Sequence, residues 1–253
     1  GGFENIKMSK ETKKWWEYSS SNYQKESKIP VDIHYGPGAP NEKELKLLGN
    51  LKGKNVLEIG CGGAQCGIKM AKQGAKVTGI DISNEQLKFA KNLAEKNKVN
   101  ITLYQGDIVN LKQIKSNSQD IVFTAWALHY VDNLKKCFKE VYRVLKKDGI
   151  FVLSMPHPFY ETIDYKTLKV QRSYFNNGKM VRVFSDKTKK LVLYNHTFSD
   201  ITNAIANSGL NIEKVIEPDS RKRNKGDCCY GMCSFTSKMM SYFPPTIIFK
   251  TRK

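Results

Sequence analysis

A strand-like run turns into glycines at Val56-Leu57-Glu58-Ile59-Gly60-Cys61-Gly62-Gly63. Glycine lets a ligand approach the backbone, and the helical stretch that follows, from about Ala64 to Lys72, offers free N–H groups at its start. Twenty-one residues after Gly60, a second apolar run, Val77-Thr78-Gly79-Ile80-Asp81, ends on a carboxylate. That geometry suits an acceptor for two ribose hydroxyls. The dinucleotide fingerprint is not met, because Gln65 holds the place of its third glycine. A plain tight turn is the alternative reading of the glycines.

Four histidines are available for proton chemistry: His34, His129, His157 and His196. His129 follows the fourth strand-like run and His157 the fifth, and open α/β sheets bind ligands at those ends. Both are candidate bases or substrate-orienting residues, set against the alternative of a structural, hydrogen-bonded histidine. His157 ranks ahead, because Pro156 and Pro158 stiffen its backbone and it opens an irregular segment. Upstream, Trp16, Tyr18, Tyr23 and Tyr35 are placed to wall a pocket, or simply to pack a helix.

A regular alternation of elements must position these residues. β-rich runs are expected at 54–59, 75–80, 99–104, 119–125 and 149–155. Between them, Leu87, Ala90, Leu93 and Ala94 make one helical face, and Leu134, Phe138, Val141 and Leu145 another. Ser83 and Gln86 form a capping-box pattern, and Gly74 and Gly149 sit where chains would leave helices. Strands alternating with helices predict βαβ units and a parallel sheet. After Pro156 the rhythm breaks. Asn176-Asn177-Gly178 predicts the turn of an inserted hairpin within 157–195. Ser199 would cap a helix over 200–208 closed by Gly209, with strands at 210–216 and 245–250.

Composition bounds the partners. The chain has 253 residues, 40% apolar and 26% charged, enough for a real core. The longest apolar run, Ile121 to Leu128, has eight residues, too few to span a membrane. The net charge is 42 − 24 = +18, which invites nucleic acid, but the cations are 36 Lys against 6 Arg. Arg is the residue that reads phosphates and bases with a fork, so the lysines read as a solvated surface and nucleic acid is possible without being favoured. The six cysteines form no disulfide framework. Cys228-Cys229 and Cys233 have no second CxxC and no nearby His, so no metal site is expected. Free thiols and no secretory signal predict a cytoplasmic protein.

With those residues in view, Leu57-Glu58-Ile59-Gly60-Cys61-Gly62 resembles motif I of the class I S-adenosylmethionine-dependent methyltransferases. Gly79-Ile80-Asp81-Ile82-Ser83 resembles the ribose-binding second motif, and Gly106-Asp107-Ile108 the adenine-binding third. The stretches 119–122 and 127–130 resemble the fourth-strand motif, and 141–149 the helix and turn before the fifth strand. The resemblance covers about residues 50–155 and is similar in flavour to the small-molecule branch of menaquinone and ubiquinone biosynthesis. It implies a doubly wound, seven-stranded, mostly parallel Rossmann-like sheet. It implies an N-terminal lid over residues 1–50 and a catalytic domain over 51–253 with an insert at about 157–195.

The resemblance also implies S-adenosylmethionine as cofactor. Gly60 and Gly62 would approach its methionine part, Asp81 would accept from the ribose, and Asp107 from the adenine amine. Ile82 and Ile108 would sandwich the ring, with Ala125 completing the pocket, and Glu58 would orient the glycine loop. Ala64 departs from the family's usual glycine, and Lys147-Asp148 from its usual Pro-Gly. The Asn/Asp-Pro-Pro-aromatic motif of base-methylating relatives is missing, since Thr124-Ala125-Trp126-Ala127 stands there. The expected activity is methyl transfer to a small-molecule acceptor. An RNA or protein methyltransferase and a non-catalytic cofactor-binding module are the alternatives. Oligomeric state is not legible.

Overall fold

The computed structural model describes residues 2–164, 166–176, 178–183, 190–222 and 237–253. The chain opens with helix α1 (Gly2–Ser27) and a single turn, α2 (Glu42–Leu45). Then the alternation begins: β1 (Asn55–Ile59), α3 (Gln65–Lys72), β2 (Lys76–Asp81), α4 (Asn84–Lys96), β3 (Thr102–Gln105) and β4 (Gln119–Ala125). Helix α5 (Leu134–Val144) runs directly into β5 (Leu145–Pro156). A hairpin, β6 (Gly178–Val183) and β7 (Lys190–Asn195), precedes α6 (Phe198–Ser208), β8 (Asn211–Ile216), a short α7 (Ser237–Met240) and β9 (Thr246–Arg252).

Seven strands form one sheet in the order β3-β2-β1-β4-β5-β9-β8. The pairs from β3 to β5 are parallel, and β9 inserts antiparallel between β5 and β8. Both faces are covered, and the side-chain alternation shows why the strands read as continuous apolar runs. On one face Leu57, Ile59, Val122, Phe151, Leu153 and Phe249 pack against Phe138 and Val141 of α5 and Ile201 and Ile205 of α6. On the other, Val56, Val77, Ile121, Phe123, Val152 and Ile248 pack against Met70 of α3 and against Tyr35, Leu47 and Leu48. The strand order reverses between β1 and β4, which opens a crevice at their C-terminal ends. Among the described residues, no helix is long and apolar enough to cross a membrane.

Several local expectations need correction. Gly149 does not end a helix: α5 stops at Val144, and Asp148 (φ 61°) makes the left-handed turn within β5. Thr197, not Ser199, caps α6, in a full capping box with Asp200. Asn176 precedes the hairpin and does not close it: Gly178 opens β6 and pairs with Asn195 of β7. Asn177 lies outside the described residues, as do the 184–189 link and Cys228, Cys229 and Cys233.

Candidate functional site

A cavity of about 460 Å³ opens where the strand order reverses. The ends of five neighbouring strands feed it: Gly60 after β1, Asp81 on β2, Gly106 and Asp107 after β3, Ala125 on β4 and Pro156 on β5. Helix α1 and the β6–β7 hairpin supply the remaining walls.

The floor is shaped by backbone demands. Gly60 (φ +65°) lies against the β4 turn, and a Cβ there would stand 2.3 Å from the Cβ of Ala127. No L-residue fits that spot without moving backbone. Ala64 starts α3 in the left-handed region (φ 54°), so the position where the family carries glycine keeps glycine's conformation with an alanine. Gly67, in the first turn of α3, donates its N–H to Glu58 Oε2 at 2.9 Å, which ties the start of that helix to β1. Burial pushes the Glu58 carboxyl up to about 8, with the Gly67 N–H opposing and the Asp81 charge adding to the shift.

Asp81 organises the loop. Its Oδ2 accepts from Gly62 N at 2.8 Å and its Oδ1 from Ser83 N at 2.9 Å. Burial pushes its carboxyl up to about 6 against the pull of these amides. The capping-box pattern at Ser83 is therefore only half used. Ser83 Oγ accepts from Gln86 N at 3.2 Å, but Asp81 takes the Ser83 N–H that Gln86 would have bonded. Gln86 turns instead to α1: Gln24 Nε2 donates to Gln86 Oε1 at 2.7 Å, and Gln65 Nε2 donates to Gln24 Oε1 at 2.8 Å. This chain of three amides pins α1 over the glycine loop. Glu17 adds a second tie, accepting from Asn84 N and Glu85 N at the start of α4, where the helix dipole favours a negative charge.

The far side is aromatic. Trp16 of α1 makes edge contacts with Tyr23 (5.1 Å) and Tyr130 (5.7 Å). Trp126 holds φ +58°, rare for a large side chain, and its indole fills the space beside Gly36, where a Cβ would lie 2.0 Å from Nε1. His129 sits between Trp126 and Tyr130, with ring centroids 5.9 Å and 4.1 Å away. Its Nδ1 is buried and, among the described residues, has no hydrogen-bond partner. Burial, with the charges of Arg182 and His196 adding, pushes its pKa down to about 3, so the ring is neutral at physiological pH. Arg182 and Glu161 pair at the same wall.

Gly60, Gly62, Asp81, Ile82, Asp107, Ile108 and Ala125 all line the cavity, as do His129, Trp16 and Tyr23. Three expected residues do not. His157 is buried with its Nε2 2.8 Å from Glu217 Oε1, while its Nδ1 accepts from Phe159 N at 3.2 Å. Both nitrogens are thus engaged outside the cavity lining, which His129 joins. Tyr18 is exposed, and Tyr35 is buried with its hydroxyl donating to Glu42, outside the lining that its neighbours His34 and Gly36 join. Reading the sequence missed Gln24, Gln65, Gln86, Glu161 and Arg182. Gln65 carried a signal as the residue in the third-glycine place, and Gln86 only as half of a capping box.

The family model described as a methyltransferase domain matches residues 50–197. A Haemophilus influenzae protein without a described activity is 26% identical over 91% of this chain and 92% of its own. A ubiquinone biosynthesis O-methyltransferase of Coxiella burnetii is 35% identical, but over only 39% of this chain and 42% of that enzyme. Among solved structures, a Listeria monocytogenes protein assigned as an S-adenosylmethionine-dependent methyltransferase superposes with a TM-score of 0.66 at 27% identity. It covers 84% of this chain and 97% of its own.

Proposed function

Because the chain belongs to the class I S-adenosylmethionine-dependent methyltransferases, we propose that its acceptor is a small molecule. That acceptor would be held in the aromatic chamber between α1, the 126–131 turn and the β6–β7 hairpin. The observation that carries this reading is the lining. Among the described residues around the cavity, Arg182 is the only Arg or Lys, although the whole chain carries 42. A polyanion such as RNA is recognised by cations at the site, and here the lysines lie elsewhere. The cavity's size and mixed apolar lining match small-ligand sites.

The residues present fit the cofactor. The backbone of Gly60–Gly62 lines the cavity, and Asp81 and Asp107 bring two carboxylates to it from adjacent strand ends, each followed by a lining isoleucine, Ile82 and Ile108. Asp81 would take the ribose hydroxyls, Asp107 the adenine amine, and the Gly60–Gly62 backbone the methionine part. When bound, S-adenosylmethionine supplies an electrophilic methyl group on a sulfonium. The protein's own task is to hold the nucleophile in line and exclude water. Trp16, Tyr130 and Trp126 would flank a flat acceptor. His129, neutral and lining the cavity, would orient a hydroxyl or amine nucleophile. The buried free thiols Cys61, Cys66 and Cys137 support a cytoplasmic setting.

The test uses methyl-labelled cofactor and a size-fractionated cell extract. Label in the small-molecule fraction is expected. Label confined to RNA or protein would overturn the reading in favour of a macromolecular acceptor.

A further inference from the structure

The β6–β7 hairpin presents a mixed face to the chamber. Arg182 and Leu191 are register partners across its two strands, and Met180 pairs with Leu193 on the same side. Arg182, Leu191 and Leu193 line the cavity, so one guanidinium stands in an otherwise apolar strip. Isolated charges are costly in such places and persist when paired or used. Arg182 is paired, but sparingly: Nη2 donates to Glu161 Oε1, and among the described residues no other hydrogen bond uses its five N–H donors. Its side chain remains 40% exposed, while that of Glu161 is only 16% exposed.

We infer that Arg182 determines acceptor specificity by holding a carboxylate on the acceptor, with Glu161 orienting the guanidinium. This rests on the small-molecule reading above. A planar fork with free N–H groups matches a carboxylate in two-point fashion, which a lysine there would not. The opposite assignment, an amine held by Glu161 within the aromatic walls, fits less well, because Glu161 is the more buried partner and Arg182 is the one with spare hydrogen-bonding groups. The positive charge is also felt deeper in the chamber, where it helps to hold the imidazole of His129 neutral. The carboxylate would sit at the hairpin wall and the nucleophile at the His129 end, so one acceptor would be gripped at two chemically different points.

The probes are benzoate, benzamide and benzylamine, which share a ring and differ in charge. Each is titrated by ligand-observed NMR into protein saturated with S-adenosylhomocysteine, the demethylated product of the cofactor. Benzoate should bind about tenfold more tightly than benzamide, the weight of one charge-assisted pair, and benzylamine should bind least. Arg182→Met keeps the length and apolar packing and should erase the benzoate preference, while Arg182→Lys should keep part of it. If Arg182 only fastens the hairpin to the 160–162 turn, Arg182→Met lowers the melting temperature but leaves the preference intact, and the proposal fails. Equal binding of benzoate and benzamide, preference for benzylamine, or no binding by any probe overturns it too. Should Arg182→Met not fold, Glu161→Gln decides. Freeing Arg182 should tighten benzoate a few-fold relative to benzamide, and a loosened benzoate refutes the assignment. The extract experiment judges the small-molecule reading separately, since label there does not depend on acceptor charge.

Discussion

Gly60, Asp81, Asp107 and Ala125 each lie within two residues of the C-terminal end of a parallel strand. Trp16, His129, Glu161 and Arg182 come instead from a helix, two short turns and a hairpin. The two halves of one cavity are thus built by different means. The first is fixed by the sheet: once β1, β2 and β4 are in register, Gly60 meets Ala127 and Asp81 meets Gly62 with no further choice. The second depends on elements that touch the sheet only at its rim. A parallel sheet therefore specifies the proposed cofactor site almost as a by-product of folding, while the proposed acceptor site is free to vary with its covering segments.

The sharpest test of this division is at His129. His129→Asn should lower turnover by about tenfold, the weight of one lost orienting hydrogen bond, while leaving cofactor affinity unchanged. His157→Ala should do the reverse of what its place in the sequence implies. It should unseat the Glu217 contact and lower stability, and spare turnover in the protein that stays folded. Loss of turnover in His157→Ala with full activity in His129→Asn would break the comparison at its strongest point.

On the cofactor side, Gly60→Ala should destabilise the fold by about 2–4 kcal/mol, from overpacking against Ala127 and from the left-handed φ. Thermal unfolding reads this directly. The second substitution Ala127→Gly removes the clashing Cβ and should restore the packing share but not the backbone share. A single variant with unchanged melting temperature and cofactor affinity would show that the sheet does not dictate the loop.

The same contrast explains what could be read from the sequence. The alternation of strands and helices, the glycine turn and the carboxylate at Asp81 are local patterns, legible from periodicity and turn residues. The failures at the site are tertiary. His157 looked like an open-ended base because Glu217, which engages its Nε2, is sixty residues away. Gln86 looked like half of a capping box because nothing in 83–86 says that Asp81 will take the Ser83 N–H. Arg182 and Glu161 are 21 residues apart in an irregular insert, and only the hairpin register shows which side Arg182 takes. Asn176 and Gly178 stand at the start of β6, not between the two strands they were expected to join.

A smaller effect is expected where the halves meet. Gln24→Ala removes two hydrogen bonds and leaves Gln86 Oε1 and Gln65 Nε2 unmatched under α1. About 1–3 kcal/mol of local stability should go. Hydrogen exchange should speed up along α1 while the β1–β4–β5 amides keep their protection. Uniform loss of protection would mean that α1 and the sheet form a single cooperative unit.

The mildest test concerns Glu58, whose ordinary value near 4.5 is pushed up to about 8 in the ligand-free fold. Between those values the folded state keeps a proton that the unfolded chain has released. The unfolded state therefore binds fewer protons in that window, and stability falls as pH rises through it. Asp81, pushed up from 3.8 to about 6, acts in the same direction at the lower end of the range. His129 acts oppositely: its pKa is pushed down from 6.5 to about 3, so the unfolded chain binds the extra proton there and stability rises with pH up to about 6.5. The two trends offset each other below that point, and above it Glu58 is left as the titrating group of the three. The ligand-free protein should therefore melt a few degrees lower at pH 8 than at pH 6.5. Glu58→Gln keeps an oxygen for the Gly67 N–H and has no proton to lose, so its melting temperature should be flatter across that interval. An equal slope in both proteins would place the pH dependence elsewhere and leave Glu58 as a neutral strut between β1 and α3.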